Sequence, residues 1–327
     1  MTRVSIRDDL RALEGYHSPQ VDVAVRLNTN EAPDEPPVEF REAVAAEVAR
    51  VTWNRYPDRS ATALREAIAS LHGVDPSMIF AANGSNEVLQ TILLTFAGPG
   101  RTVATFEPLD LDEVRRVVDS ANPSVTFLCS PNNPTGVVDA ESDVRAVIDM
   151  APGLVVVDEA YGQFSSWTAQ SLVSEDAAVA VVRTFSKTWS MAAGRLGYVI
   201  APAWMVAELD KVVLPYHLDA VKQAAGVLAI EYLDEMNARV ERIVAERDRL
   251  VAALADLSVD VFPSGANFVL FRPRATSGRT VWQGLLDRGV LVRDCSGWPR
   301  LADCLRVTIG TPDENRIFHE SLQEVLS

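Results

Sequence analysis

The sequence predicts an α/β fold, with a mostly parallel central sheet flanked by helices and a second, smaller α+β domain. Between residues 27 and 201, short continuous apolar runs alternate with amphipathic helical patterns, which is typical of parallel strands buried on both faces. After residue 215, a long charged helical pattern is followed by strand-like runs with few helices between them. The length of 327 residues is about twice the ~150 residues of a common single domain, so two domains are expected.

The first part of the chain contains six apolar runs that are short enough to be strands. They cover residues 78–82, 102–106, 125–129, 154–157, 179–183 and 197–200. Two other segments, residues 61–71 and 87–96, have apolar side chains at helical spacing. Several runs end in polar or glycine-containing turns, and the ligand sites of open α/β sheets collect at such strand ends.

The second part is predicted to begin with a helical segment over residues 218–257. Strands follow around the motifs PSGANFVLF, VLVRD and LRVTIG, with a helix near residues 281–288 and another at the C-terminus. We therefore expect a large domain over residues 28–237 and a small domain formed by residues 1–27 and 238–327. The segment before residue 28 is too short to fold alone, so we expect an arm that packs on the small domain or on a partner chain.

Composition excludes several classes of protein. Hydrophobic residues make up 48% of the chain, charged residues 23%, and the net charge is −15, which argues against nucleic acids and anionic membranes as partners. The cysteines Cys129, Cys295 and Cys304 form no C-x-x-C pair, so neither a disulfide framework nor a metal site is indicated. The charged N-terminus differs from a signal peptide, and no apolar stretch is long enough to span a bilayer. We expect a cytoplasmic protein with free thiols.

A turn that suits phosphate follows the run that ends at Ala82. Gly84, Ser85 and Asn86 stand directly before an apolar helical pattern, and the free N–H groups and positive dipole of a helix start attract phosphate. The turn matches neither Walker A nor G-x-G-x-x-G, so a nucleoside triphosphate or a dinucleotide is not indicated. Taken alone, the turn is more readily explained by Ser85 as an ordinary N-cap.

Polar side chains also follow two later runs. SPNNPTG, residues 130–136, comes directly after a strand and would present Asn133 to a ligand, the alternative being a plain proline-rich turn. Asp158 and Tyr161 stand at the end of an apolar strand, where a carboxylate is costly unless it is paired with a cation or hydrogen-bonded. The alternative for Asp158 is a cap of the following turn.

The chain has only three lysines, which limits the candidates for amine chemistry. Lys187 follows a strand and is itself followed by small residues and Arg195. A partly desolvated amine beside a pocket has a lowered pKa and condenses with aldehydes. The alternative is a solvated surface lysine, and we accept that interpretation for Lys211 and Lys222, which lie in helical patterns away from strand ends.

In this order, a phosphate turn, an asparagine turn, a buried acid and a lysine with a following arginine are what a pyridoxal phosphate site requires. With them the sequence resembles the fold-type I aminotransferases of class I and II, and within these the histidinol-phosphate aminotransferases. The resemblance covers nearly the whole chain and is carried by RLNTNEAP, NRYPDR, AANGSNE, SPNNPTG, VDEAY, TFSK, AAGRLGY, PSGANFVLF, VLVRD and LRVTIGT. It implies a fold-type I architecture with pyridoxal 5'-phosphate as the cofactor.

The resemblance implies a role for each residue of the cofactor site. Lys187 forms the covalent link to the cofactor and then moves the proton between the substrate Cα and the cofactor's C4′. Asp158 pairs with the pyridinium nitrogen, while Asn133 and Tyr161 hydrogen-bond the 3′-oxygen. Tyr56 in NRYPDR reaches the phosphate of the neighbouring subunit's cofactor, which implies a homodimer. The residues implied to hold the phosphate within one subunit are Gly84, Ser85, Asn86, Ser186 and Arg195, with Thr184 as an addition.

For the substrate, the resemblance implies that Arg306 binds the carboxylate of glutamate or the phosphate of histidinol phosphate, with Arg293 assisting. A bidentate guanidinium suits both anions, and Tyr16 and Asn30 are further candidates. The implied reaction converts histidinol phosphate and 2-oxoglutarate to imidazole acetol phosphate and glutamate. The alternatives are an aromatic or broad-range amino-acid aminotransferase, a phosphothreonine-type decarboxylase and, as a different class, a non-catalytic ligand-sensing module.

The sequence departs from the family at two places. Residues 30–34 read NEAPD, without the asparagine and the aromatic residue that usually follow NE. At Pro108–Leu109 a helix and a strand of the family are missing, and with them the aromatic residue that stacks on pyridoxal. This is either a true deletion or a segment omitted from the sequence. Because a deletion should damage both the core and the site, we expect an omitted segment and a wide gap between Pro108 and Leu109.

Overall fold

The structure, a computed structural model, describes residue 5, residues 8–11, residue 15, residues 21–106 and residues 109–327. Its strands are β1 (Val25–Leu27), β2 (Ile79–Ala82), β3 (Val103–Thr105), β4 (Val125–Cys129), β5 (Leu154–Asp158), β6 (Val179–Thr184), β7 (Gly197–Ile200), β8 (Val259–Val261), β9 (Phe268–Pro273), β10 (Val290–Asp294) and β11 (Leu305–Thr308). Its α-helices are α1 (Val38–Arg50), α2 (Thr62–His72), α3 (Ser85–Phe96), α4 (Leu111–Ala121), α5 (Glu141–Met150), α6 (Ala203–Val212), α7 (Ala220–Glu231), α8 (Leu233–Ala255), α9 (Gly278–Leu286) and α10 (Pro312–Leu326). Across these described ranges, no helix has both the length and the apolar character needed to cross a membrane.

One sheet contains six strands in the order β2-β7-β6-β5-β4-β3. The strands from β3 to β6 are parallel to one another, whereas β7 runs antiparallel to both of its neighbours, β2 and β6. The side chains of the central strands are buried on both faces, as in β6, where every residue is buried. The expected mostly parallel sheet is therefore confirmed, and the six apolar runs are its strands.

The parallel register brings the ends of three strands to one edge of this sheet. Cys129 in β4 is the Cα partner of Asp158 in β5, and Asp158 is the partner of Val182 in β6. Thr184 then ends β6. Because parallel strands run in one direction, the polar side chains that follow them collect at their shared C-terminal edge.

A second sheet contains five strands in the order β1-β10-β11-β9-β8. β1 is parallel to β10, and the other neighbouring strands are antiparallel. Helices α8, α9 and α10 pack against this sheet, around a core that includes Phe268, Phe271 and Phe318. Arg293 lies opposite Arg306 in the β10–β11 pair, which places the two predicted substrate arginines side by side.

The helical segment predicted over residues 218–257 is two helices, α7 and α8, separated at Tyr232. Tyr232 has φ −101° and ψ 34°, outside helical values. Its ring packs edge to face against Phe40 of α1, with 5.8 Å between ring centres. The helix thus breaks at a residue that contacts a distant part of the chain. No glycine or proline stands at the break to indicate it in the sequence. The predicted domain boundary between residues 237 and 238 falls inside α8 and stays a prediction.

The connection from β3 to α4 consists of residues 106–110. β3 is an edge strand and pairs only with β4 among the described strands. Ala104, Phe106 and Val114 are buried together in one cluster. The described residues on both sides of this connection therefore share one core cluster. Pro108 lies outside the described residues, so the expected gap between Pro108 and Leu109 stays a prediction.

Candidate active site

A cavity of about 630 Å³ lies at the edge where β4, β5 and β6 end, beside the first turn of α3. Both sheets contribute to it, since Arg293 and Arg306, two of its three arginines, come from β10 and β11. The folding of the chain therefore joins motifs that are far apart in sequence. The predicted site residues that line the cavity are Asn30, Ser85, Asn86, Asn133, Asp158, Tyr161, Thr184, Ser186, Lys187, Arg195, Arg293 and Arg306.

One end of the cavity has the geometry of an anion site. Gly84 precedes α3 with φ 83°, a left-handed value that glycine adopts without strain. A Cβ on Gly84 would lie 2.8 Å from Nη2 of Arg195, and a Cβ on Gly197 would lie 2.3 Å from the backbone N of Ser85. The turn is thus packed closely against a guanidinium and against β7. Together with this guanidinium, the free N–H groups of the first turn of α3 favour a phosphate.

Ser85 does not cap α3. The N-cap is Gly84, without a side-chain hydrogen bond, and Ser85 is the first helical residue. The ordinary N-cap interpretation of Ser85 is therefore wrong, and its side chain lines the cavity instead. Two hydroxyls from the end of β6 lie nearby: Oγ1 of Thr184 donates to Oγ of Ser186 at 3.0 Å, and Nη1 of Arg195 donates to the same Oγ at 3.4 Å.

Lys187 is held inside the cavity. Its Nζ donates to the carbonyl oxygen of Thr29 at 3.1 Å and lies 5.9 Å from the ring centre of Tyr161. Burial, and next the charge of Arg306, lower the pKa of Lys187 to about 8. A larger fraction of this amine is therefore unprotonated near neutral pH than in a surface lysine, as attack on an aldehyde requires. The surface-lysine alternative for Lys187 is wrong.

Asp158 ends β5 and faces the cavity. Its Oδ1 accepts a hydrogen bond from the backbone N–H of Ala160 at 2.9 Å, so the carboxylate does cap the following turn. Burial raises the pKa of Asp158 to about 6. A cationic group in the cavity, such as a protonated pyridine nitrogen, would favour the charged carboxylate again. The turn-cap interpretation is therefore confirmed, and the interpretation of Asp158 as a ligand-binding residue stays a prediction.

Tyr161 and Asn133 offer hydrogen-bond donors to the cavity. Asn30 Nδ2 donates to the hydroxyl of Tyr161 at 2.9 Å, and Phe268 contacts the tyrosine ring edge to face, with 5.1 Å between centres. Burial raises the pKa of Tyr161 to about 12, so the hydroxyl keeps its proton and can donate it to a ligand. Oδ1 of Asn133 accepts from Nη1 of Arg306, so the amide nitrogen of Asn133 is the atom that can donate to a ligand.

Arg293 and Arg306 make one side of the cavity positively charged. Arg306 is buried, its Nη2 donates to the carbonyl oxygen of Asn28 at 2.9 Å, and its guanidinium lies 5.1 Å from the ring centre of Phe268. Arg293 lines the same cavity from the neighbouring strand. A fixed guanidinium with a second one beside it suits a carboxylate or a phosphate.

Among the described residues, Gly84 and Tyr56 are predicted site residues that do not line this cavity. Tyr56 is 79% exposed, and its ring stacks on Tyr216 with 4.4 Å between ring centres. It does not line the cavity of its own chain. Tyr16 lies outside the described residues. That Tyr56 serves a neighbouring subunit therefore stays a prediction.

Sequence reasoning missed several residues of the cavity wall. Trp298 is an isolated aromatic residue in the loop between β10 and β11, where neither periodicity nor a motif marks it. Glu31 stands in the NEAPD run, which was interpreted only as a departure from the family pattern. The full set of cavity residues without a predicted role is Thr29, Glu31, Cys129, Ala160, Ala192, Ala193 and Trp298.

The interpretation of Lys222 as a solvated surface lysine is wrong. Its side chain is 27% exposed, and its Nζ donates to Oδ1 of Asn83 at 2.8 Å and lies 3.0 Å from Oδ2 of Asp219. Asn83 is 139 positions away in sequence, so the helical pattern around Lys222 carries no signal of this contact. Lys211, by contrast, is 64% exposed and pairs with Glu208 on its own helix.

Comparison with known proteins places this site in a family. The family model described as aminotransferase class I and II matches residues 22–109 and 107–322. A histidinol-phosphate aminotransferase from Thermobifida fusca is 45% identical, over 97% of this chain and 94% of that protein. Another from Corynebacterium efficiens is 38% identical, over 99% of this chain and 96% of that protein.

Solved structures share the fold of this chain, and the sequence alignments show that a relative has additional residues. The crystal structure of histidinol-phosphate aminotransferase from Sinorhizobium meliloti, in complex with pyridoxal-5'-phosphate, superposes with a TM-score of 0.85 at 23% identity, over 93% of this chain and 91% of that one. The two family matches meet at residues 107–109, and the T. fusca alignment runs over 350 positions although this chain has 327 residues. That relative therefore contains residues that this chain lacks. From the family match and the identities to its relatives, the chain belongs to the aminotransferase class I and II family.

Proposed function

We propose that this aminotransferase transfers the amino group of histidinol phosphate to 2-oxoglutarate, forming imidazole acetol phosphate and glutamate in histidine biosynthesis. The observation that carries the proposal is the meeting, in one cavity, of an amine with a lowered pKa (Lys187), a carboxylate with a raised pKa (Asp158) and three guanidiniums. The choice of histidinol phosphate is supported by the names of relatives that are 38% and 45% identical.

The residues present fit pyridoxal 5'-phosphate, the cofactor of this family. The close packing of Gly84 against Arg195 leaves a concave turn of N–H groups that suits the phosphate. The buried carboxylate of Asp158 calls for a cationic partner, and a pyridinium supplies one. When bound, this cofactor supplies an aldehyde that captures amino groups and a ring that withdraws electrons from the substrate Cα.

Each side chain of the cavity has its own role in the proposed transamination. With the cofactor bound, Lys187 would hold its aldehyde carbon, and its amine would move the proton of the substrate Cα. Its lowered pKa keeps a fraction of the amine free to accept that proton. Asp158 would hold the proton on the pyridine nitrogen, and Tyr161 and Asn133 would orient the ring by hydrogen bonds to its 3′-oxygen. Ser85, Asn86, Ser186 and Arg195, with Thr184, hold the phosphate.

One anion site serves both substrates of the reaction. Arg306 is fixed by Asn28, Asn133 and the face of Phe268, so its fork presents a constant geometry to the ligand. We assign to it the carboxylate of glutamate and, in the other half-reaction, the phosphate of histidinol phosphate, with Arg293 beside it. Bidentate guanidinium contacts suit either group. Asn30 acts on the substrate side through Tyr161, to which it donates a hydrogen bond.

We also propose that the enzyme is a homodimer in the cytoplasm. Trp53, Tyr56 and Leu214 are large side chains that are each more than 70% exposed, and exposed apolar surface supports an interface with a second copy. In this dimer we assign Tyr56 to the phosphate held by the partner subunit. The free cysteines support a reducing compartment.

The test of the proposed function compares kcat/KM for histidinol phosphate and for phenylalanine, each with 2-oxoglutarate. We expect the value for histidinol phosphate to be clearly higher. Equal or higher values for phenylalanine would instead support an aromatic or broad-range aminotransferase. Release of carbon dioxide from phosphothreonine, without amino transfer, would support a decarboxylase.

A further inference from the structure

Lys222 lies behind the turn that precedes α3. It belongs to the first turn of α7, and its Nζ donates to Oδ1 of Asn83 at 2.8 Å. Asp219, the N-cap of α7, accepts a hydrogen bond from the backbone N–H of Lys222 and lies 3.0 Å from the same Nζ. The side chain is 27% exposed, so the ammonium is held in one place by two partners.

Asn83 connects Lys222 to the turn. It directly precedes Gly84 and does not line the cavity. Its Nδ2 donates to Oε2 of Glu87 and to the carbonyl oxygen of His217, both at 2.8 Å, and its backbone N–H donates to the same Glu87 oxygen at 2.5 Å. Because the side-chain amide is bonded at both ends, it holds the backbone from which the N–H groups of the turn project.

Charge gives Lys222 a second effect on this turn. Glu87 is the acidic residue in the first turn of α3, whose N–H groups face the cavity. A carboxylate at this position is stabilised by the helix dipole, but it opposes the binding of another anion at the same helix end. Lys222 bonds to the same amide group as Glu87 and also pairs with Asp219, so only the part of its charge that Asp219 does not neutralise acts against this repulsion.

We propose that Lys222 is a positioning residue for the phosphate of the cofactor. It holds Asn83, and with it the turn over residues 84–86, and it compensates the carboxylate of Glu87. The inference rests on the proposed use of pyridoxal phosphate. Lys222 needs no contact with the phosphate, because it acts through Asn83 and through charge.

The experiment measures the dissociation constants of pyridoxal phosphate and of pyridoxal, which lacks the phosphate, by absorbance titration of the cofactor-free dimer. For Lys222→Met we expect a dissociation constant for pyridoxal phosphate that is about tenfold higher, the loss of one charge-assisted hydrogen bond. The dissociation constant for pyridoxal should not change. Lys222→Arg should restore most of the affinity for pyridoxal phosphate, since it retains the charge and a donor.

Lys211→Met is the matched control, because it removes a lysine charge from an exposed position on α6 and should change neither constant. Equal weakening of both cofactors by Lys222→Met would overturn the inference, since it would show a general effect on the fold. Unchanged binding of both would overturn it as well. Should Lys222→Met fail to fold, Lys222→Gln, which keeps a polar group on α7, provides the same comparison. Failure of the proposed function is distinguishable, because the wild-type protein would then not bind pyridoxal phosphate at all.

Discussion

Lys187 and Asp158 have pKa values that burial shifts in opposite directions. The pKa of Lys187 falls to about 8 and that of Asp158 rises to about 6, so burial favours the uncharged form of each group. A partner of opposite charge in the cavity would favour the charged form of each group again. Substitutions of the two residues therefore have different expected effects.

Replacing Lys187 by alanine should abolish covalent attachment of pyridoxal phosphate and lower turnover by several orders of magnitude. Borohydride reduction of the wild-type holoenzyme, followed by peptide mapping, should place the cofactor label on Lys187. Label on Lys211 or Lys222 would contradict the assignment. Lys211→Ala is the control, because the side chain of Lys211 is exposed and pairs with Glu208 of the same helix.

Asp158→Asn should cripple transamination and yet stabilise the cofactor-free protein at pH 7. The pKa of Asp158 is raised from 3.8 to about 6 in the folded state, so its contribution to stability is lost as the pH rises through that window. The variant removes a cost of up to about 3 kcal/mol at pH 7, and its advantage should disappear near pH 4. Urea denaturation at both pH values measures this. A variant with near-normal kcat would leave Asp158 with only its turn-capping role.

At the scale of elements, His72 at the end of α2 ties this helix to the central sheet. Its Nδ1 lies 2.9 Å from Oε1 of Gln170, and its Nε2 lies 2.8 Å from the hydroxyl of Tyr198 in β7. In a neutral imidazole whose Nδ1 donates to Gln170, Nε2 accepts from the tyrosine hydroxyl. Burial, and next the charge of Arg183, lower the pKa of His72 to about 4.

The free energy of unfolding should therefore depend on His72 in mild acid. Between pH 6.5, its ordinary pKa, and pH 4, the unfolded chain binds a proton that the folded protein does not, so this contribution falls by up to about 3 kcal/mol as the pH decreases. The His72→Gln variant lacks this pH-dependent contribution to the free energy of unfolding. In urea denaturation, the advantage of the wild type over this variant should shrink from pH 7 to pH 4. An advantage of the same size at both pH values would show that His72 does not titrate in this way.

The strands were predictable from sequence, whereas several contacts between elements were not. Continuous burial leaves a direct signal in composition, so β4 and β7 begin and end where their apolar runs do. Tyr232 breaks the predicted helix next to a contact with α1, and Lys222 is defined by a partner 139 positions away. Neither has a local signal, because both depend on how elements pack.

The same distinction holds for the site. Asp158, Asn133 and Lys187 follow strands and could be predicted, since strand ends in a parallel sheet converge on one edge. Their detailed roles depended on the family resemblance. Trp298 belongs to a loop of the second sheet, and only the packing of the two sheets brings it to the cavity.

For the whole molecule, the proposed dimer predicts complementation between two inactive variants. Tyr56→Ala and Lys187→Ala are mixed and allowed to exchange subunits. A hybrid dimer would contain one site with both native residues, since Tyr56 is exposed and does not line its own cavity. Part of the activity should therefore return, as measured with histidinol phosphate.

Each variant taken alone through the same exchange procedure is the control, and mass spectrometry of the intact dimer checks that exchange has occurred. If hybrids form and activity does not recover, Tyr56 acts within its own subunit. Its stacking with Tyr216 would then be the arrangement that has to change on cofactor binding.

The shortness of β3 has a consequence for the protein in concentrated solution. β3 is the outermost strand on one side of the six-stranded sheet, and it offers only Val103–Thr105 to a further strand. Association of proteins through their sheets requires a long, flat edge with many free backbone groups. This edge is too short to act as a template for the growth of an intermolecular sheet.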